Sequence, residues 1–297
     1  MEITFLGTSC MKPTKERNPS AVFITHRDEG LLFDCGEGTQ RQFSIGGMKI
    51  TKITRIFISH WHGDHVLGLA GLIATLGASE YTGTLHVYGP CDTKERLGLW
   101  FKAIPFDHGI DLQVHDIDKD GVFLETPDFS VEARALKHRL PCIGFAVVEQ
   151  DRRRMNVSAM KELGIPQNSL WGQLQEGKTV SWKGKKIAPE QVTTLIKGKK
   201  VTYITDTLPV ENCFRLAEDA DVLICEAPHT SELKDKAEEY MHLTARDAAQ
   251  IASRSDVKKL VLQHFSARYA NTHEVEKDAR VVFDNVIAAK DFMQIQV

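Results

Sequence analysis

Ser59-His60-Trp61-His62-Gly63-Asp64-His65 is the stretch that decides the fold. It sets three imidazoles and a carboxylate directly after the β-branched and aromatic run Ile53-Thr54-Arg55-Ile56-Phe57-Ile58. That run predicts a strand handing the chain into a loop at the edge of a sheet. His60 and His62 are two apart, so on an extended backbone they point the same way and can grip one ion. Gly63 is free to take positive φ, which would turn the chain and aim Asp64 and His65 at a neighbouring ion. Neutral imidazole and carboxylate suit zinc, with manganese or iron as alternatives, and no thiolate is nearby to force a closed structural site. A histidine-rich surface loop is the plain alternative, but four donors at this spacing would cost solubility and order for nothing.

These ligands alone leave a metal site incomplete, so the rest of the chain must supply donors. His138 follows the alternating run Phe129 to Leu136 and precedes the turn at Leu140-Pro141. Asp206 follows the run Lys200 to Ile204, and His264 follows Lys259 to Gln263. Each sits where an apolar run meets a polar turn, the place where α/β sheets display their working residues. Taken singly, each reads equally well as a cap or turn former; together with the histidine loop they read as ligands. Helices are predicted at Gly68 to Leu76, Lys94 to Ala103, Thr244 to Ser253 and Glu274 to Ala288. Their alternation with short strands gives an α/β class.

The pattern resembles the metallo-β-lactamase fold and, within it, the ribonuclease Z family of tRNA 3′-processing endonucleases. The resemblance begins at Phe5-Leu6-Gly7-Thr8-Ser9 and the loop Pro13 to Asn18, and runs through Phe33-Asp34-Cys35-Gly36-Glu37-Gly38-Thr39-Gln40. After the histidine loop it continues at His138 to Phe145, at Asp206-Thr207 and at His264-Phe265-Ser266-Ala267-Arg268-Tyr269. It implies an αββα sandwich, which can use 297 residues around one large core. It puts His60, His62 and His138 on one zinc ion, Asp64, His65 and His264 on a second, and Asp206 between them. Asp34 would orient a ligand or cap a turn. Asp64 would orient the attacking water. His242, just before the helix at Thr244, would protonate the leaving 3′ oxygen, held in its charged form by Glu226 at the end of the strand Asp221 to Cys225. Lys15, Arg17 and Arg268 would meet the substrate backbone, or else are surface charges.

Charge speaks about the partner. Residues 151–200 hold eleven Lys and Arg against four Asp and Glu, a surplus of seven, so in a chain of net charge −3 the remainder carries −10. A basic segment on an acidic body suits a polyanion, or else is a solvated excursion. Its place between His138 and Asp206 is where the family carries a protruding arm that clamps the elbow of tRNA, and the arm is expected at about 151–199. Met155 to Leu163 reads as a short helix within it, and Leu170, Trp171 and Trp182 as packing for its limbs.

The six cysteines form no C-x-x-C pair, and neither end reads as a signal peptide or membrane-length apolar run, so a cytoplasmic chain with reduced thiols is expected. The chain departs from the family at Cys225-Glu226-Ala227-Pro228 and Met241-His242-Leu243-Thr244, at Asn168-Ser169 in the arm, and at Trp61. None of these removes a ligand or proton carrier. The expectation is a zinc-dependent endoribonuclease, acting as a homodimer, that cuts precursor tRNA to leave a 3′-hydroxyl and a 5′-phosphate on the trailer. The competing reading is a metal-dependent phosphodiesterase or 3′-exonuclease of broader specificity.

Overall fold

Strand-forming runs alternate with amphipathic ones to build two seven-stranded sheets in the computed structural model, which describes residues 1–104 and 109–297. In chain order the strands are β1 (Glu2–Gly7), β2 (Ala21–His26), β3 (Glu29–Phe33), β4 (Arg55–Phe57), β5 (Thr84–Pro90), β6 (Asp111–Ile117), β7 (Gly121–Glu125), β8 (Phe129–Leu136) and β9 (Cys142–Glu149). There follow β10 (Arg152–Met155), β11 (Val180–Trp182), β12 (Lys185–Ile187), β13 (Thr193–Ile196), β14 (Lys200–Ile204), β15 (Val222–Glu226), β16 (Leu260–Gln263), β17 (Val286–Ala288) and β18 (Gln294–Gln296). One sheet runs β18-β1-β2-β3-β4-β5-β6 and the other β17-β16-β15-β14-β9-β8-β7. Strands β3 to β6 are parallel, as are β14 to β17.

Residues two apart on a strand share a face, and both sheets use this to bury two sides. Leu32 and Ile56 pack with Leu69, Leu72, Ile73 and Leu76 of the helix Leu69–Ala78. Leu223, Cys225, Leu260 and Leu262 pack with Leu216, Ala248, Ile251 and Ala252 of the helices Glu211–Ala217 and Ala245–Arg254. The opposite faces meet through aromatic rings: Phe33 lies 5.8 Å from Phe145 and 5.5 Å from Tyr203, and Phe57 lies 5.5 Å from Phe145. Helix, sheet, sheet and helix therefore stack in four layers.

Two compact units are distinguished, Met1–Glu125 with Val131–Val147 and Lys200–Val297, and a second made of Thr126–Ser130 and Val148–Lys199. The second unit has its own small core of Met160, Ile165, Leu174, Val180, Ile187 and Val192, with Leu170, Trp171 and Trp182 packed on it. Its predicted helix is Val157–Glu162, where Asn156 accepts the Ala159 N–H as an N-cap. Its hairpin β11–β12 turns at Lys183 (φ 47°) and Gly184 (φ 76°), the positive pair a two-residue turn needs.

One helix expectation is corrected. The run from Glu274 does not stay helical to Ala288: the helix is His273–Arg280, and Val286–Ala288 is strand β17, parallel to β16. Asp284 and Asn285 break the apolar run between them, and a buried strand segment and a buried helix turn look alike in so short a stretch.

Candidate metal centre

The parallel strands deliver the site from their C-terminal ends. Asp34 follows β3, Ser59 and His60 follow β4, Asp206 follows β14 by two residues, Glu226 closes β15, and His264 follows β16. His138 stands two residues past β8. Gly63 does not take positive φ as expected; it opens the short helix Gly63–Val66, and that turn carries Asp64 and His65 inward.

Two groups of donors result. In the first, His62 Nδ1 lies 3.0 Å from His60 Nε2 and 3.2 Å from His138 Nε2. In the second, His65 Nε2 and His264 Nε2 lie 3.5 and 3.8 Å from Asp64 Oδ2. Asp206 faces both. Its Oδ1 is 3.5 Å from His65 Nε2 and 3.1 Å from His264 Nε2, while its Oδ2 is 3.6 Å from His60 Nε2 and 3.8 Å from His138 Nε2.

The donor set fits divalent cations. His65 Nε2 and His264 Nε2 are fully buried without a hydrogen-bond partner, an expensive state unless something else meets these nitrogens. Three ring nitrogens facing one another cannot all be served by the protons of neutral imidazoles. Burial, then the neighbouring His65, pushes the His60 imidazole well below its ordinary range, which leaves a neutral lone pair. Burial also works against charge on His65 and His264, yet Asp64 and Asp206 respectively lead the carboxylates that hold these imidazoles well above it. Asp206 is held far below the carboxylate range, because His264 and its neighbours outweigh burial. The pocket thus demands positive charge.

The distal nitrogens are anchored as ligand imidazoles need to be. Asp34 Oδ2 accepts from His65 Nδ1 at 2.7 Å, from Tyr203 Oη at 2.7 Å and from Ser59 Oγ at 2.9 Å, and Oδ1 accepts from the Ser59 N–H at 2.8 Å. Ser59 Oγ is 3.0 Å from His60 Nδ1, and Ser20 Oγ is 2.7 Å from His264 Nδ1. The Met241 carbonyl accepts from His138 Nδ1 at 3.1 Å. Ser20, Tyr203 and the Met241 carbonyl were not legible beforehand, since nothing in sequence links Ser20 to a histidine 244 positions away.

His242 and Glu226 do meet. His242 Nδ1 donates to Glu226 Oε2 at 2.6 Å, and Glu226 Oε1 accepts the N–H groups of Thr207 and Leu243 at 2.7 and 3.1 Å. Burial opposes the charge on His242, but Glu226 and then Asp206 outweigh it and lift the imidazole to about 9. His242 lines a cavity of about 590 Å³ together with His62, Asp64, His138, Asp206 and His264. His229, not singled out from the sequence, also lines it; burial and then Arg268 depress its imidazole to about 4.

Of the three cations assigned to substrate, Lys15 and Arg268 are exposed. Arg17 is buried, and its guanidinium donates to the carbonyls of Tyr269 at 2.8 Å and Ser266 at 3.3 Å, so here it braces one loop against another.

The chain is 42% identical over 311 residues to a protein of Crocosphaera subtropica named ribonuclease Z, covering 100% of this chain and 98% of the relative. A ribonuclease Z of Archaeoglobus fulgidus is 41% identical over 301 residues, with 100% and 97% covered. Among solved structures, the short form of human tRNase Z matches with a TM-score of 0.75 at 29% identity, over 100% of this chain and 99% of that one. The metallo-β-lactamase fold protein YhfI of Bacillus subtilis matches in fold with a TM-score of 0.71 at 18% identity, over 99% and 98%. A family model described as Anti-Pycsar protein Apyc1 matches residues 1–102.

Proposed function

The chain belongs to the ribonuclease Z family of metallo-β-lactamase-fold hydrolases, and from that premise we propose that it is a metal-dependent endoribonuclease that removes the 3′ trailer from precursor tRNA. The products would be a tRNA with a 3′-hydroxyl and a trailer with a 5′-phosphate. In this reading His60, His62 and His138 hold one cation, Asp64, His65 and His264 hold the other, and Asp206 serves both. Two zinc ions per subunit suit the nitrogen and oxygen donors, and Mn²⁺ or Fe²⁺ suit the same set. The observation that carries it is Asp206, whose two oxygens face two different donor groups.

Bound cations would supply the Lewis acidity that makes a nucleophile at neutral pH and neutralises charge on the phosphodiester. The remaining work falls to side chains. Asp64 Oδ2 is held at 2.6 Å by the Met11 N–H, which fixes the carboxylate so that its other oxygen can orient the attacking water. His242 is charged at neutral pH, and Glu226 occupies its Nδ1, so Nε2 is the atom that gives a proton to the departing 3′ oxygen. Arg268 and Lys15, exposed, would meet backbone phosphate. The basic segment 151–199 would hold the body of the tRNA by shape and charge, with a homodimer bringing the segment of one subunit to the site of the other.

The test is incubation of a 3′-extended tRNA with the purified chain, with and without zinc, followed by end mapping. Zinc-dependent release of an intact trailer bearing a 5′-phosphate is expected. Stepwise loss of single nucleotides would favour the exonuclease, and cleavage of small diesters without tRNA cleavage the broader phosphodiesterase.

A further inference from the structure

Six cysteines are present, and they differ sharply in setting. Cys35, Cys142, Cys213 and Cys225 are buried, Cys91 is exposed, and Cys10 is half-buried. Cys10 lines the same cavity as Asp64 and His264, and its Sγ lies within 4.8 Å of a carboxylate oxygen of the first and a ring nitrogen of the second. His264 is fully buried, its Nδ1 is taken by Ser20, and its Nε2 faces this space without a hydrogen-bond partner. The backbone holds the thiol there. The Cys10 N–H donates to the Phe265 carbonyl at 2.9 Å, the Lys12 N–H donates to the Cys10 carbonyl at 2.8 Å, and the Met11 N–H donates to Asp64 Oδ2 at 2.6 Å. Met11 takes a left-handed backbone (φ 66°), a costly conformation for a methionine that sets Cys10 and this N–H on the same loop.

We propose that Cys10 supplies a thiolate ligand to the cation held by Asp64 and His264. The inference rests on the two-cation reading above. Binding would form a sulfur–metal bond as the thiol releases its proton to solvent. A soft donor at this position alone would make the two metal positions unequal: the one with Cys10 would favour zinc or cobalt over manganese, and the one with three imidazoles would discriminate less.

The full chain, stripped of metal and then loaded with zinc, is alkylated under native conditions and the modified peptides are mapped. Cys91 should react equally in both forms, and Cys10 only in the stripped one. Loading with cobalt instead should give a sulfur-to-metal charge-transfer band in the near ultraviolet, lost in Cys10→Ser and kept in Cys91→Ser. Cys10→Ser should also weaken zinc binding at one of two positions by about tenfold or more, since even groups that only orient a ligand cost that much. Two bound cobalt ions without the sulfur band would overturn the thiolate and leave the two-cation reading standing. Failure to bind any transition ion would overturn both.

Discussion

Five residues of the candidate site hold a left-handed backbone without being glycine: Met11 (φ 66°), Asp34 (φ 55°), Asp206 (φ 24°), Met241 (φ 59°) and His264 (φ 58°). Each such residue costs roughly 1 kcal/mol, and they persist because hydrogen bonds fix them from several sides. At Met241 the twist is what aims the carbonyl at His138 Nδ1. His242, next in chain, gives a sharp prediction. His242→Ala should slow cleavage of precursor tRNA by about 10² to 10⁴, the usual share of a general acid, yet leave hydrolysis of bis-p-nitrophenyl phosphate nearly unchanged, because nitrophenolate departs without a proton. Equal losses on both substrates would sink the acid role. Asp291 yields a second. Burial lifts its carboxyl to about 6 even though it accepts from Thr8, Asn18 and Gln42. The folded state thus binds a proton more tightly than the unfolded chain, so this group contributes stability at pH 4 that is lost as the pH rises through 6, on the order of 2–3 kcal/mol. Denaturant titrations should show the wild type losing more stability between pH 5 and 8 than Asp291→Asn.

At the level of elements, what was legible followed one rule: apolar runs that end in a single chemical residue. β8 and β14 fall where the alternating and apolar runs predict, and His138 and Asp206 stand just beyond them. What failed were backbone angles and short amphipathic pieces. Gly63 was expected to turn by positive φ and instead starts a helix, because a helical turn presents Asp64 and His65 equally well. The hydrogen-bonding supports were illegible, since Ser20 and Tyr203 look in sequence like any strand-start serine and core tyrosine. The β11–β12 hairpin offers the test of the basic segment. Arg153, Lys178 and Lys197 are paired with Glu190, Glu176 and Asp151, whereas Lys183, Lys185 and Lys186 stand exposed at and beside the turn. Changing these three to alanine should weaken tRNA binding and reduce the slope of log affinity against log salt by up to about 2–3, roughly one for each lost phosphate contact. Small diesters should be hydrolysed as before; an unchanged salt slope would remove the hairpin from the interface.

Across the whole molecule, each of the two donor groups draws on both sheets. His60 and His62 come from the β4 end, with His138 and Asp206 from the β8 and β14 ends; Asp64 and His65 come likewise from the first sheet, with Asp206 and His264 from the second. The unfolded chain has no such gathering, so ion binding at these groups would be linked to sheet docking in one equilibrium. Free zinc at a thousandfold excess over its dissociation constant should add about 4 kcal/mol to the unfolding free energy, seen as a melting temperature that climbs with zinc concentration. A melting curve indifferent to zinc would place the ions elsewhere. Bound metal would then act as a rivet through the sandwich, and a chelator should do more than silence the enzyme: it should loosen the seam between its halves, leaving starved protein prone to proteolysis before any bond in the tRNA is at stake.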